Sequence, residues 1–121
     1  MTDGANARLG LPVGKMRWVV VAFDVDGTLI GHSIMGDGTY WPHDGIVSLA
    51  KTLSRFKNVK VVVWSGGGKD YASRMGRWLG LDEYVWKYAS KTEHDQIKPD
   101  IAIDDIQDTA IGVINLIVRE K

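Results

Sequence analysis

The chain has 121 residues, with 15 basic and 15 acidic side chains, a formal net charge of zero and 45% hydrophobic residues. That length suits one domain around one core. The composition argues against disorder, and the even charge argues against a protein that holds nucleic acid by broad phosphate neutralisation. With no cysteine in the sequence, disulfides, thiolate metal sites and cysteine nucleophiles are excluded.

Residues 1–15 are rich in Gly, Ala and Asn and lack periodicity, so they read as a flexible N-terminal arm ahead of a single domain over residues 16–121. No apolar run approaches the roughly 20 residues of a membrane span, and no long apolar stretch of a secretory signal opens the chain. The expectation is a cytoplasmic protein with no membrane partner.

The first strong element is the apolar run at residues 18–23, Trp-Val-Val-Val-Ala-Phe. A continuous, β-branched run suits a strand buried on both faces. It stops at Asp24-Val25-Asp26-Gly27-Thr28. Residues 32–41 follow, with turn chemistry at Gly36-Asp37-Gly38, and read as a β-hairpin overhanging the first strand's carboxyl end. Over residues 45–57, Ile46, Leu49, Ala50, Leu53 and Phe56 keep the spacing of one helix face, with Asp44 as N-cap.

A second buried run at residues 59–64 ends at Ser65-Gly66-Gly67-Gly68. A helix is predicted over residues 69–79, with Gly80 as its stop. A weaker strand is predicted at residues 84–88 and a short one at 101–103, the latter ending at Asp104-Asp105. After Asp105 the apolar spacing reads as a helix, with a final strand as the alternative because of Gly112 and the β-branched residues. Alternating strands and helices predict an α/β fold, a Rossmann-like three-layer sandwich on a mainly parallel sheet with a hairpin flap.

Ligands of such sheets sit beyond the carboxyl ends of the strands. The strand ends here carry Asp24 and Asp26, then Ser65, then Asp104 and Asp105. In extended chain Asp24 and Asp26 face the same way, and two close carboxylates are tolerated when a cation lies between them or one is protonated. Solvated turn residues are the plainer account of an isolated Asp-x-Asp-Gly, but a second acidic strand end weighs against it. Ser65 with Gly66 and Gly67 offers a hydroxyl and backbone amides to an anion. Asp104 and Asp105 add hard oxygen ligands of the kind Mg²⁺ prefers. Asp108 reads equally as a loop-holding group and as ordinary helix-start charge. The three His lack ligand spacing, Trp41 reads mainly as packing, and the basic stretch of Lys51, Arg55, Lys57 and Lys60 reads as a solvated face.

Three segments resemble the haloacid dehalogenase superfamily in its phosphatase branch: residues 21–29 (Val-Ala-Phe-Asp-Val-Asp-Gly-Thr-Leu), residues 61–66 (Val-Val-Val-Trp-Ser-Gly) and residues 101–105 (Ile-Ala-Ile-Asp-Asp). The resemblance implies a Mg²⁺-dependent phosphomonoester phosphatase with an aspartyl-phosphate intermediate. Asp24 would be the nucleophile and Asp26 the general acid and base. Thr28, Ser65, Gly66 and Gly67 would contact substrate. Mg²⁺ would be held by Asp24, the backbone carbonyl of Asp26 and Asp104, with Asp105 behind them.

The family's phosphate-neutralising lysine has two candidates. Lys91 follows the third strand on the carboxyl side, with Ser90 as a helix cap, whereas Lys98 has the frequent Lys-Pro context but precedes the fourth strand. Position favours Lys91, and Lys87 is a distant third. The intervals from Asp26 to Ser65 and from Ser65 to Asp104 are filled by assigned elements, which implies a minimal member with no cap domain. An open site would admit a phosphorylated small molecule or a phosphorylated polymer end, or would take a second subunit as its lid in a homo-oligomer. Two rival readings remain: phosphotransfer to an acceptor other than water, and a non-catalytic phosphate- or metal-binding signalling domain. The receiver type of signalling domain is disfavoured because its acidic pair ends the first strand, whereas the adjacent pair here comes last.

Overall fold

The strand β1 (Val19–Asp24) lies at the centre of a five-stranded parallel sheet, and its own sequence explains the placement. Val21, Ala22 and Phe23 are buried, with no polar side chain before Asp24. The computed structural model describes residues 17–32 and 38–119. The remaining strands of the main sheet are β4 (Val59–Ser65), β5 (Lys87–Ser90), β6 (Ile101–Asp104) and β7 (Ile114–Ile117). Their order is β5-β4-β1-β6-β7, and every adjacent pair is parallel. The short strands β2 (Ile30–His32) and β3 (Tyr40–Pro42) pair antiparallel as a separate hairpin.

The helices are α1 (Asp44–Ser54), α2 (Lys69–Trp78) and the single turn α3 (His94–Ile97). On one face of the sheet, Val47 and Ala50 of α1 and Ala72 of α2 pack with Val21, Phe23, Val61 and Val63. On the other face, Ile97 of α3 packs with Ala22, Val62, Trp64 and Ala89. The result is the α/β sandwich expected from the alternating pattern. The chain runs outward from β1 through β4 to β5, then crosses back to β6 on β1's other side. The crevice between β1 and β6 is therefore the topological switch point, where such sheets bind ligands.

Local chemistry accounts for the element ends. Helix α2 stops in a Schellman arrangement: Leu81 N–H donates to Gly76 O at 2.9 Å and Gly80 N–H to Arg77 O at 3.0 Å. Gly80 takes a φ of 72°, which only glycine adopts without strain. Helix α1 begins at its expected cap, one residue earlier than predicted. His43 holds the N-cap position in extended backbone and Asp44 is the first helical residue, placed to complement the helix dipole. At its other end, Ser54 Oγ donates to Lys51 O at 2.7 Å and the helix ends there rather than at Lys57.

One further expectation is corrected, and one open alternative is decided. The third strand is shifted to Lys87–Ser90, because Tyr84 and Val85 instead close a turn onto Leu81 O and Trp86 N–H is the first to reach Val61 O. The segment after Asp105 takes the strand alternative and not the helix. A 3₁₀ turn (Gln107–Thr109) leads into β7, which adds to the edge of β6. The β-branched side chains suit that edge, and at Gly112 a Cβ would press on the backbone nitrogen of Ala102 at 2.7 Å. The hairpin is present, with the indole of Trp41 lying over its cross-strand partner Gly31. Gly36 and Asp37 of the expected turn lie outside the described residues, as does the expected arm at 1–15. Among the described residues no helix is long and apolar enough to cross a membrane.

Candidate metal centre and anion site

Sheet register brings the predicted groups to one rim. Phe23 pairs with Ile103, so Asp24 and Asp104 end neighbouring strands at the same level. Asp24 pairs with Trp64, which sets Ser65 one position beyond, and Ser65 pairs with Ser90, which sets Lys91 one position beyond that. Carboxylate oxygens of Asp24, Asp104 and Asp105 lie within 4.8 Å of one another. Asp24 and Asp104 are buried, and Asp105 is partly buried.

Lys91 joins two of these acids. Its Nζ lies 2.9 Å from Asp24 Oδ1 and 2.6 Å from Asp104 Oδ2. The Ser90 hydroxyl starts the 3₁₀ turn (Lys91–Glu93) by accepting from Thr92 N–H, while Glu93 Oε2 accepts from Ser90 N–H at 2.8 Å. This capping box fixes the backbone from which Lys91 projects. Lys98 sits at the opposite end of β6. It ends α3 in the left-handed region, with φ 48°, and is exposed. The Lys-Pro context of Lys98 thus serves a turn at the amino end of the strand, away from Asp24 and Asp104.

Each oxygen of the two buried acids has a fixed partner. Thr28 Oγ1 donates to Asp24 Oδ2 at 3.2 Å. Ile106 N–H donates to Asp104 Oδ1 at 3.0 Å, and Thr109 Oγ1 donates to Asp104 Oδ2 at 3.1 Å. Thr28 is fully buried beneath Asp24, so its hydroxyl orients that carboxylate. Asp108 is exposed in the 3₁₀ turn, and its neighbour Thr109 is the residue that ties the loop to the site.

The electrostatics follow from burial and from Lys91. Burial pushes the Asp24 carboxyl up to about 7 despite the opposing pull of Lys91, with Asp104 adding repulsion. Burial also raises Asp105. For Asp104 burial acts upward too, but the Lys91 hydrogen bond and the Ile106 N–H outweigh it and hold the group low. Burial works against the Lys91 ammonium, and its bonds to Asp104 and Asp24 more than reverse that. When all three carboxyls are ionised, the single Lys91 ammonium leaves two negative charges unmatched, and that repulsion is what a bound cation would relieve. This all-oxygen donor set fits a hard divalent cation such as Mg²⁺ in charge and chemistry.

Asp26 stands apart from the three-carboxylate group. Strand β1 ends at Asp24, and the amides of Thr28, Leu29 and Ile30 fold back onto Val25 O at 3.2, 3.0 and 3.1 Å. The extended-chain pairing of Asp24 with Asp26 is therefore replaced by a tight turn. Asp26 Oδ1 accepts instead from the phenol of Tyr71 in α2 at 2.6 Å. Burial, and then that hydrogen bond, raise the Tyr71 pKa and keep the phenol protonated as the donor.

Ser65 is buried, and its Oγ accepts from Gly67 N–H at 2.9 Å. The Gly67 amide, expected to face an anion, is directed at Ser65 and leaves the serine hydroxyl hydrogen to donate elsewhere. Gly66 is exposed at the same rim.

Sequence reasoning missed Tyr71, Thr109 and His43, whose Nδ1 lies 2.8 Å from Thr28 O. Tyr71 is far in sequence from Asp26, and His43 from the Thr28 carbonyl it contacts, and Tyr71 registers as an ordinary core position of an amphipathic helix. Thr109 is near Asp104, but its role depends on the 3₁₀ turn that replaced the expected helix. No protein-family model matches the chain, and no curated protein matches it.

Proposed function

We propose that the protein is a Mg²⁺-dependent phosphomonoester phosphatase working through an aspartyl-phosphate intermediate, as its resemblance to haloacid dehalogenase-type phosphatases implies. The observation that carries this reading is the group of Asp24, Asp104 and Asp105 within 4.8 Å, bridged by Lys91 at the switch point of the sheet. Mg²⁺ held by Asp24, Asp104 and the Asp26 carbonyl, with Asp105 beside them, would draw charge from the phosphoryl oxygens.

The chain's own residues carry the remaining work. An oxygen of Asp24 attacks phosphorus as the bond from phosphorus to the ester oxygen breaks, and Asp26 gives its proton to the departing alkoxide. Tyr71 occupies Asp26 Oδ1, which leaves Oδ2 as the oxygen that exchanges the proton. Water then attacks the aspartyl phosphate. Asp26 takes the water's proton, the bond from phosphorus to Asp24 breaks, and inorganic phosphate leaves. Lys91 and the Ser65 hydroxyl offset charge on the transferring group throughout, and placed donors of this kind supply most of the catalysis in phosphoryl transfer.

The direct test is hydrolysis of a generic aryl phosphate with Mg²⁺ and with EDTA. Turnover should require the metal and should disappear in Asp24→Asn. Full turnover in Asp24→Asn would sink the assignment of the nucleophile.

A further inference from the structure

A cleft of about 480 Å³ opens beside the site, lined by Tyr40, Tyr71, Arg74, Met75 and Trp78. We infer that this cleft receives the leaving group of the substrate and selects a planar, ring-bearing one. The inference rests on the phosphatase reading and adds to it the class of ester that is preferred.

Position is the first argument. Tyr71 belongs both to the cleft wall and to the Asp26 contact, with its hydroxyl 2.6 Å from Asp26 Oδ1. Asp26 is the group assigned to protonate the departing oxygen. Whatever is bonded to that oxygen must therefore lie on the Asp26 side of the phosphorus, toward Tyr71. The acids that would hold the metal, Asp24, Asp104 and Asp105, contribute nothing to the cleft lining. Phosphate site and cleft are thus adjacent, and Asp26 with Tyr71 forms the boundary between them.

Chemistry is the second argument. Three of the five lining side chains are aromatic, and Tyr40 and Trp78 expose about half their surface, at 47% and 55%. Met75 adds a polarisable apolar floor. The Arg74 guanidinium stands 5.6 Å from the centre of the Tyr71 ring, close enough for cation–π contact. Such walls favour stacking with a flat ring, worth roughly 1–3 kcal/mol per base in nucleic-acid binders. A polyol and a base could both accept from Arg74, but only the base adds a flat face to stack on the aromatic walls. The volume falls within the range usual for small-molecule pockets, about 300–1,000 Å³.

The walls come from two separate elements. Tyr40 stands on β3 of the hairpin and the other four residues on α2. The hairpin would thereby supply one side of the specificity site.

The experiment compares kcat/KM for a nucleoside 5′-monophosphate, an aryl phosphate and glycerol phosphate, all with Mg²⁺, in the wild type, Trp78→Ala, Trp78→Phe and Tyr40→Ala. The wild type should prefer both ring esters over glycerol phosphate by at least tenfold. That preference should shrink severalfold in Trp78→Ala and Tyr40→Ala, mainly through KM, and return in Trp78→Phe, which keeps a ring. The two ring esters separate nucleobase recognition from simple aromatic stacking. Turnover of all three esters at equal kcat/KM overturns the inference and leaves the phosphatase reading standing. Turnover of none overturns the phosphatase reading, and the leaving-group role with it. Quenching of tryptophan fluorescence by the unphosphorylated nucleoside, present in wild type and reduced in Trp78→Phe, supports ring binding in the cleft independently of turnover, and its absence counts against it.

Discussion

The carboxylate of Asp105 packs against the bare Cα of Gly27, so closely that a Cβ at position 27 would collide with Asp105 Oδ2. The contact locks the turn after β1 onto the loop after β6 and holds the two acidic strand ends together. Gly27 also has a φ of 80°. Gly27→Ala would meet both problems, each of order 1 kcal/mol or more. The variant should lose roughly 2–3 kcal/mol in denaturant unfolding and bind Mg²⁺ more weakly in a calorimetric titration. Unchanged values in both measurements would refute the account.

Lys91 and Lys98 should behave differently. Lys91→Ala removes the cation shared by two buried acids, and breaking such a pair from one side typically costs about 3–5 kcal/mol. Turnover should fall at least a hundredfold. Lys98→Ala, at an exposed helix end away from those acids, should stay within about twofold of wild type. A larger loss at Lys98 than at Lys91 would reverse the assignment.

Tyr71→Phe deletes one hydroxyl and leaves the ring in place. The bond to Asp26 is worth about 1–2 kcal/mol, so kcat/KM should fall about tenfold while the melting temperature moves little. If Tyr71 only packs, kinetics will not change and the role given to its hydroxyl is wrong.

Metal-free protein should become less stable as pH rises from about 4 to about 7. Asp24 ordinarily titrates near 3.8, and burial raises it to about 7 in the folded state. Across that window the native state holds a proton that the unfolded chain has released, so stability falls with increasing pH. Asp105 is raised as well and acts in the same direction. Asp104 is lowered, so its contribution is present above the ordinary carboxylate range and is lost as acid protonates it. A divalent cation favours the ionised acids. Its stabilising effect in thermal melts should therefore grow with pH over the same window, and Asp24→Asn should flatten the trend. A metal effect that is constant from pH 5 to 8 would contradict this.

Much of the architecture is legible along the chain because buried strands and amphipathic helices are properties of contiguous residues. The apolar runs around Val21 and Val62, and the acids and hydroxyl that end them, place Asp24, Ser65 and Asp104 at a rim before any coordinates are known. The segment after Asp105 was not decidable locally. Its apolar residues satisfy a helix as well as a strand, and what settled it was the free edge of β6, to which β7 adds. Lys91 and Lys98 likewise differ less in local sequence than in which end of a strand each occupies, and the pairing of Ser65 with Ser90 decides that. Tyr71 meets Asp26 across 45 positions of sequence. Such a meeting depends on how α2 packs against the sheet, and that packing is the joint outcome of the whole core rather than of any window of residues.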